Sequence, residues 1–324
     1  MNMKTIKDNP WEKLEKPVSG SLSMRRVDAE FVHDFYFAKD GYGQYSFVFS
    51  LHKPVQIKDK LSLNGIDVTL LSIGGTTSIF LVLKNNNDWP IFLKICLDLC
   101  EVTSHITDEP LAVKTFCNRL LYWQYFMERN KENKLTKEEQ IGLIGELLFI
   151  QKHLMPKYSL LDTMNFWTGA DADVQDFFVD GKRVEIKTCM SPSKNEVHIS
   201  SLQQLYNPEC QIYLGVFFLG IANSELESAF SLSSLAKTLA ESLQQDTYAH
   251  ELFVKKLASV GMFLDDDYND TFYTQNGFRS YKVEKDFPRI TPEDVKIGVT
   301  KANYIINLAN CTEYETSIDS ILKG

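Results

Sequence analysis

Asp176-Phe177-Phe178-Val179-Asp180-Gly181-Lys182-Arg183-Val184-Glu185-Ile186-Lys187 is the stretch that decides the fold of this chain. Asp180-Gly181 is the dipeptide most favoured in a tight two-residue hairpin turn, and apolar residues alternate on both sides of it. Centring the turn there sets the register. Val179 faces Lys182, Phe177 faces Val184, and Asp176 faces Glu185. Because side chains alternate along a strand, Phe177, Val179, Val184 and Ile186 share one face. Asp176, Arg183, Glu185 and Lys187 share the other, with Phe178 among them. The first is a core face; the second gathers the chemistry.

Directly opposed like charges on a hairpin, with Cβ atoms roughly 5 Å apart, repel each other. A divalent cation between Asp176 and Glu185 would convert that repulsion into a ligand pair, since hard ions take carboxylate oxygens. Lys187, two residues beyond Glu185 on the same face, is placed to orient or deprotonate a water. Two carboxylates, a metal and a lysine make a site for hydrolysing a phosphodiester. The same face also reads as a solvated surface of mixed charge, so the decision rests on the rest of the chain.

Upstream, Thr136 with Glu139 three residues on marks a capping box. It opens a helix through Ile141-Gly142-Leu143-Ile144-Gly145-Glu146-Leu147-Leu148-Phe149-Ile150. Glu146 is the one charge in that apolar run, and burying it without a partner would cost several kcal/mol. Gly142 and Gly145 each weaken a helix by roughly 1 kcal/mol relative to alanine while allowing close backbone approach. The helix is therefore expected to lie against something that needs Glu146; a carboxylate at the edge of the apolar face is the plainer reading. Downstream, Val197-His198-Ile199 reads as a third strand, Ser200 to Tyr206 as a short helix, and Gln211 to Leu219 as a buried strand.

Outward from this core the pattern changes twice. Residues 24–100 are mostly strand-like. Phe31 to Phe37 and Gln44 to Phe49 flank the turn Asp40-Gly41-Tyr42-Gly43, with further runs at Ile66 to Ile73, Ser78 to Leu83 and Pro90 to Leu97, and a break at Gly74-Gly75. From Glu109 the period is helical, with Val113, Phe116, Leu120, Tyr122 and Phe126 as a stripe before the polar break Lys131-Glu132-Asn133-Lys134. Beyond residue 222, Leu232 to Leu243 and Leu252 to Val260 mark amphipathic helices, and Phe278 to Val283 and Tyr304 to Leu308 are strand-like. Asp265 to Asp270 lacks the glycine and glutamate of a calcium loop and reads as a solvated turn. The expected division is a β-rich domain at 1–105, a mixed α/β core at 106–222 and a helical and β extension at 223–324.

Bulk properties bound the function. In 324 residues the formal charge is −9, so attraction to nucleic acid would have to rest on a local basic surface. Six scattered cysteines without a C-x-x-C pair suggest neither a disulfide framework nor a zinc site, and a reducing cytoplasm is expected. No stretch is apolar enough to read as a signal peptide or membrane span. There is no G-x-S-x-G, no G-x-G-x-x-G after a strand and no closely spaced histidine pair, which argues against serine hydrolases, dinucleotide enzymes and histidine-based metal sites.

A helix glutamate, a hairpin aspartate and then E-x-K on the next strand, here Gly145-Glu146, Asp176 and Glu185-Ile186-Lys187, resembles the PD-(D/E)XK superfamily of restriction-endonuclease-like nucleases. The chain is similar to its bacterial, defence-associated branch, in which Phe287-Pro288-Arg289 after a late strand and Gln204-Leu205 in the short helix would also be expected. The proline usual before the aspartate is replaced by Gln175, and Asp171 and Asp173 are rivals for the metal aspartate; register favours Asp176.

The resemblance implies a mixed-sheet nuclease core flanked by helices, and an Mg2+-dependent cut of DNA, with Mn2+ as substitute, leaving 5′-phosphate ends. It implies that Asp176, Glu185 and the Ile186 carbonyl hold the metal. Glu146 would bind through a water or a second ion, and Lys187 would polarise the attacking water and the scissile phosphate. Gln204 would contact the DNA backbone or the lysine, while Arg183, Lys182 and Lys194 could supply phosphate contacts. Expected partners are DNA, the ATPase and methyltransferase of a defence cluster, and a second copy of the chain for cutting both strands. The competing expectation is a non-catalytic nuclease fold that binds DNA or assembles a larger complex.

Overall fold

A computed structural model describes residues 8–53, 55, 61, 63–73, 76–128, 134–190 and 195–322. The chain divides into two compact units, Met1–Lys131 and Glu132–Gly324. The architecture is mixed α+β, with no helix among the described residues long and apolar enough to cross a membrane.

The first unit is an antiparallel sheet of β1 (Leu22–Arg26), β2 (Asp34–Asp40), β3 (Tyr45–Leu51), β4 (Ile66–Ile73) and β5 (Thr76–Leu83), ordered β1-β2-β3-β5-β4. The expected turn at Asp40 joins β2 to β3, in the register Phe35↔Phe49 and Phe37↔Phe47. Those four rings share one face and form a core with α1 (Trp89–Thr103) and α2 (Glu109–Glu128); Phe116 stands 5.2 Å from Phe49. The run Pro90 to Leu97, expected as a strand, lies in α1. Its buried residues Phe92, Leu93, Cys96, Leu99 and Cys100 recur at helical spacing, and Pro90 sits in the first turn, where its missing N–H has no helical partner to lose. Gly74 and Gly75 lie outside the described residues.

The second unit opens with α3 (Lys137–Phe149). Thr136 accepts the Glu139 amide while Glu139 caps the Thr136 amide, as the capping box requires. A π-helical turn over Ile150–Leu154 follows, then α4 (Leu160–Phe166), β6 (Phe177–Val179), β7 (Lys182–Cys189), β8 (Glu196–Ile199), β9 (Ile212–Ala222), α5 (Leu232–Leu243), α6 (Thr247–Ser259), β10 (Phe272–Val283), β11 (Tyr304–Asn307), β12 (Glu315–Thr316) and α7 (Ile318–Ile321). The sheet order is β12-β10-β9-β7-β6; β7 and β9 are parallel, and the other pairs are antiparallel.

The hairpin β6–β7 has the register its turn dictates, Phe177↔Val184 and Val179↔Lys182, with positive φ at both Asp180 and Gly181. Phe177, Val179, Val184 and Ile186 are buried against α3, α5 and α6. The opposite face of the sheet is covered by a second cluster that includes Cys189, Leu214, Val216 and Tyr281. Val197 to Ile199 is the strand expected, and it pairs with β11 in a separate two-stranded ribbon. One expectation needs correction. Ser200 to Tyr206 forms turns, not a helix, because the Gln204 side chain accepts from the Ser200 amide and hydroxyl and closes the segment on itself. Residues 223–324, expected as an extension, supply β10 and β12 of the main sheet.

Candidate active site

The site forms where β6 stops and β7 runs on. The ladder ends at Phe177, so Asp176 is not itself paired with Glu185. Instead its Oδ2 accepts the Ile186 amide at 2.7 Å, filling the place of the missing strand. In an extended strand the N–H and C=O of one residue point to the same side, so the Ile186 carbonyl faces this same edge. Glu185 is 1% exposed and meets the Lys187 ammonium at 2.7 Å as an ion pair. Neither Glu185 oxygen has a hydrogen-bond donor of good geometry.

Glu146 comes to this edge from α3. A side chain at Gly145 would collide with Thr188 Oγ1 and come within 3.2 Å of Ile186 Cγ2, so the glycine permits the helix to lie on β7 at the height of the site. The Trp167 indole donates to Glu146 Oε2 at 2.6 Å. Glu146, Asp176, Glu185, Ile186 and Lys187 line one cleft of about 510 Å³, together with Thr188, His198 and Gln204. Glu146 and Asp176 keep partial exposure at its floor although protein surrounds them.

Burial and mutual repulsion shape the electrostatics. Burial, and then Asp176, push the Glu185 carboxyl up to about 8. Burial also lifts Glu146 well above the carboxylate range, with Asp176 adding to it and Trp167 opposing it. Asp176 rises for the same first reason, against the pull of Lys187 and the Ile186 amide. For Lys187, burial would lower the pKa, but Glu185 and Asp176 outweigh it and hold the ammonium charged. Three acids share one lysine, an arrangement with an excess of negative charge in a poorly solvated place.

No three His, Cys, Asp or Glu side chains among the described residues are grouped as a ready metal-holding cluster. What the edge does offer is an all-oxygen donor set that includes a buried carboxylate, Glu185, met by Lys187, and that chemistry suits a hard divalent cation. Asp176, Glu185 and the Ile186 carbonyl fit such an ion.

The weaker candidates are engaged elsewhere. Arg183 pairs with Asp173 and lies 4.5 Å over the Phe178 ring. Lys182 donates to the Ser320 and Ile321 carbonyls, and Lys194 lies outside the described residues. The rival aspartates are taken too: Asp173 by Arg183, Asp171 by Lys255 and Lys256. Gln204 does line the cleft, though its oxygen is spent on Ser200.

Sequence reasoning missed the scaffold that aims these groups. Lys256, 2% exposed on α6, donates to the Trp167 carbonyl and pairs with Asp171 at 2.8 Å, and Ser259 donates to the Ala170 carbonyl at 2.6 Å. The loop carrying Trp167 is thus fastened to a helix of the C-terminal part. Gln175, where a proline was expected, is buried and donates to the Gln203 carbonyl at 2.8 Å; Arg289 donates to the Leu205 carbonyl. The Phe287-Pro288-Arg289 and Gln204-Leu205 motifs therefore meet in one clamp on the cleft wall. A buried lysine in an amphipathic helix was the available signal for Lys256; nothing local marked Trp167.

Gly169 donates its amide to the Asp176 carbonyl at 2.8 Å, and an added Cβ would lie 2.9 Å from Asp176 Cα. Gly169→Ala is expected to cost about 1–3 kcal/mol through overpacking against backbone. Chemical denaturation reads this directly, and an unshifted midpoint would refute the close approach.

A mixed sheet with a helix glutamate, a hairpin aspartate and E-x-K at one edge defines a nuclease-like fold. The family described as "Putative PD-(D/E)XK family member, (DUF4420)" matches residues 7–309, and the chain belongs to that family. Neither the curated proteins nor the solved structures gave a match.

Proposed function

We propose that the protein is an Mg2+-dependent endodeoxyribonuclease of restriction or phage-defence type. The observation carrying this reading is the convergence of Glu146, Asp176, Glu185 and Lys187 on one cleft at the open end of β6. Asp176, Glu185 and the Ile186 carbonyl would hold the metal, with Glu146 acting through a water or a second ion. When bound, the cation would stabilise the negative charge that builds on the phosphate as water attacks. Lys187, held charged by the acids beside it, orients the attacking water and faces the phosphate. The Ile186 amide fixes one Asp176 oxygen, and the Trp167 indole fixes one oxygen of Glu146, so that neither carboxylate must reorganise during the reaction. Action on both strands favours a homodimer, and partner ATPases and methyltransferases belong to the same proposal.

The test is incubation of purified protein with methylated and unmethylated supercoiled plasmid in Mg2+. Nicked or linear products that disappear on chelation are expected. One observation favours a second reading, a non-catalytic DNA-binding or assembly subunit: the formal charge of −9 gives the chain no bulk attraction to DNA. Absence of cleavage together with absence of saturable Mg2+ or Mn2+ binding would replace the first reading by the second.

A further inference from the structure

Gly142 has no reason to be glycine in the folded protein. It lies inside α3, where glycine is the least favourable residue after proline. It is exposed, and a Cβ built on it would meet nothing within 4 Å. Gly145, one turn on, is different, because Thr188 and Ile186 close over it. The position of Gly142 suggests what fills the space. It stands four residues before Glu146 and four after Glu138, so all three share one stripe of the helix. That stripe is a wall of the cleft that holds the candidate active site.

We propose that Gly142 is the point at which a nucleoside of the DNA substrate crosses α3, and that the missing side chain is room for its sugar or base. The inference rests on the nuclease reading of the site. The same cleft holds the candidate reaction centre, where Glu185, 1% exposed, meets the Lys187 ammonium at 2.7 Å. Chemistry separates the ends of the cleft. Lys187 marks where a phosphate is attracted, whereas Glu138 beside Gly142 repels one. Ile141 and Met190 line the cleft with Gly142, an apolar and adaptable surface suited to a flat base or a sugar edge.

The experiment compares wild type, Gly142→Ala and Gly142→Leu in thermal melts, in Mn2+ titration and in binding and cleavage of a fluorescein-labelled oligonucleotide duplex. Both variants improve helix propensity, so Tm should rise by about 2–4 °C. Metal affinity should be unchanged, because no proposed ligand is touched. Cleavage should fall, by on the order of tenfold for alanine and a hundredfold for leucine, with weaker duplex binding. A more stable variant that cuts and binds like wild type overturns the inference and leaves the nuclease reading intact. Wild-type protein that neither binds nor cuts the duplex overturns both.

Discussion

Asp176→Asn is expected to lower Mg2+-dependent DNA cleavage by about 10²–10³-fold or more while leaving the protein folded. Asparagine keeps an oxygen for the Ile186 amide, which Asp176 now caps at 2.7 Å, so the open end of β7 remains satisfied. What is lost is a negative charge beside Glu185 and Lys187. Lys187→Ala should cost as much by a different route, removing the positive charge that Glu185, Asp176 and Glu146 all feel. The two variants separate in metal titration: affinity drops in Asp176→Asn and persists in Lys187→Ala. Measured turnover of either variant within a few-fold of wild type would end the assignment of this edge as the reaction centre.

The second large effect concerns stability. Glu185→Gln should make the metal-free protein more stable at pH 8, by on the order of a few kcal/mol, while weakening metal binding. The sign follows from the direction of the shift. Burial, then Asp176, raise the Glu185 carboxyl to about 8 from an ordinary 4.5. A raised carboxyl binds its proton more tightly in the folded state. Its contribution to stability is complete below about pH 4.5 and is lost as pH rises towards 8. Wild-type protein in chelator should therefore weaken across that window, and the glutamine variant should weaken less. Added Mg2+ should restore wild-type stability in proportion to occupancy and stabilise the variant less. Denaturant titrations at pH 5 and pH 8 decide it; parallel pH profiles for the two proteins would show that Glu185 is not held in this strained state.

The parts of this picture legible in the sequence are those set by local rules. Asp180-Gly181 imposed a register, and the register put Phe177 and Val184 on the core side. Thr136 and Glu139 announced the start of α3. Glu146 stood out because a charge inside an apolar helical run demands a partner. Local rules failed where distant chain decides. The run from Pro90 alternates poorly and is rich in strand formers, but packing against Phe49 and its neighbours makes it a helix. The turns after Ser200 are closed by Gln204 and held from far along the chain by Gln175 and Arg289. Lys256 reaches Trp167 across 89 positions, a contact no spacing rule could reveal.

One consequence follows from the order in which the chain is made. Strand β9 is the middle of the main sheet, and its β10 neighbour lies well downstream, after both α5 and α6. Until that stretch has left the ribosome, one edge of β9 is bare and the Trp167 loop lacks the lysine and serine that fasten it. The four acid and lysine side chains are all synthesised by position 187, and the strand that completes the sheet beside β9 ends nearly a hundred residues later. Fastening of the Trp167 loop, and with it the indole that holds Glu146, therefore waits for α6.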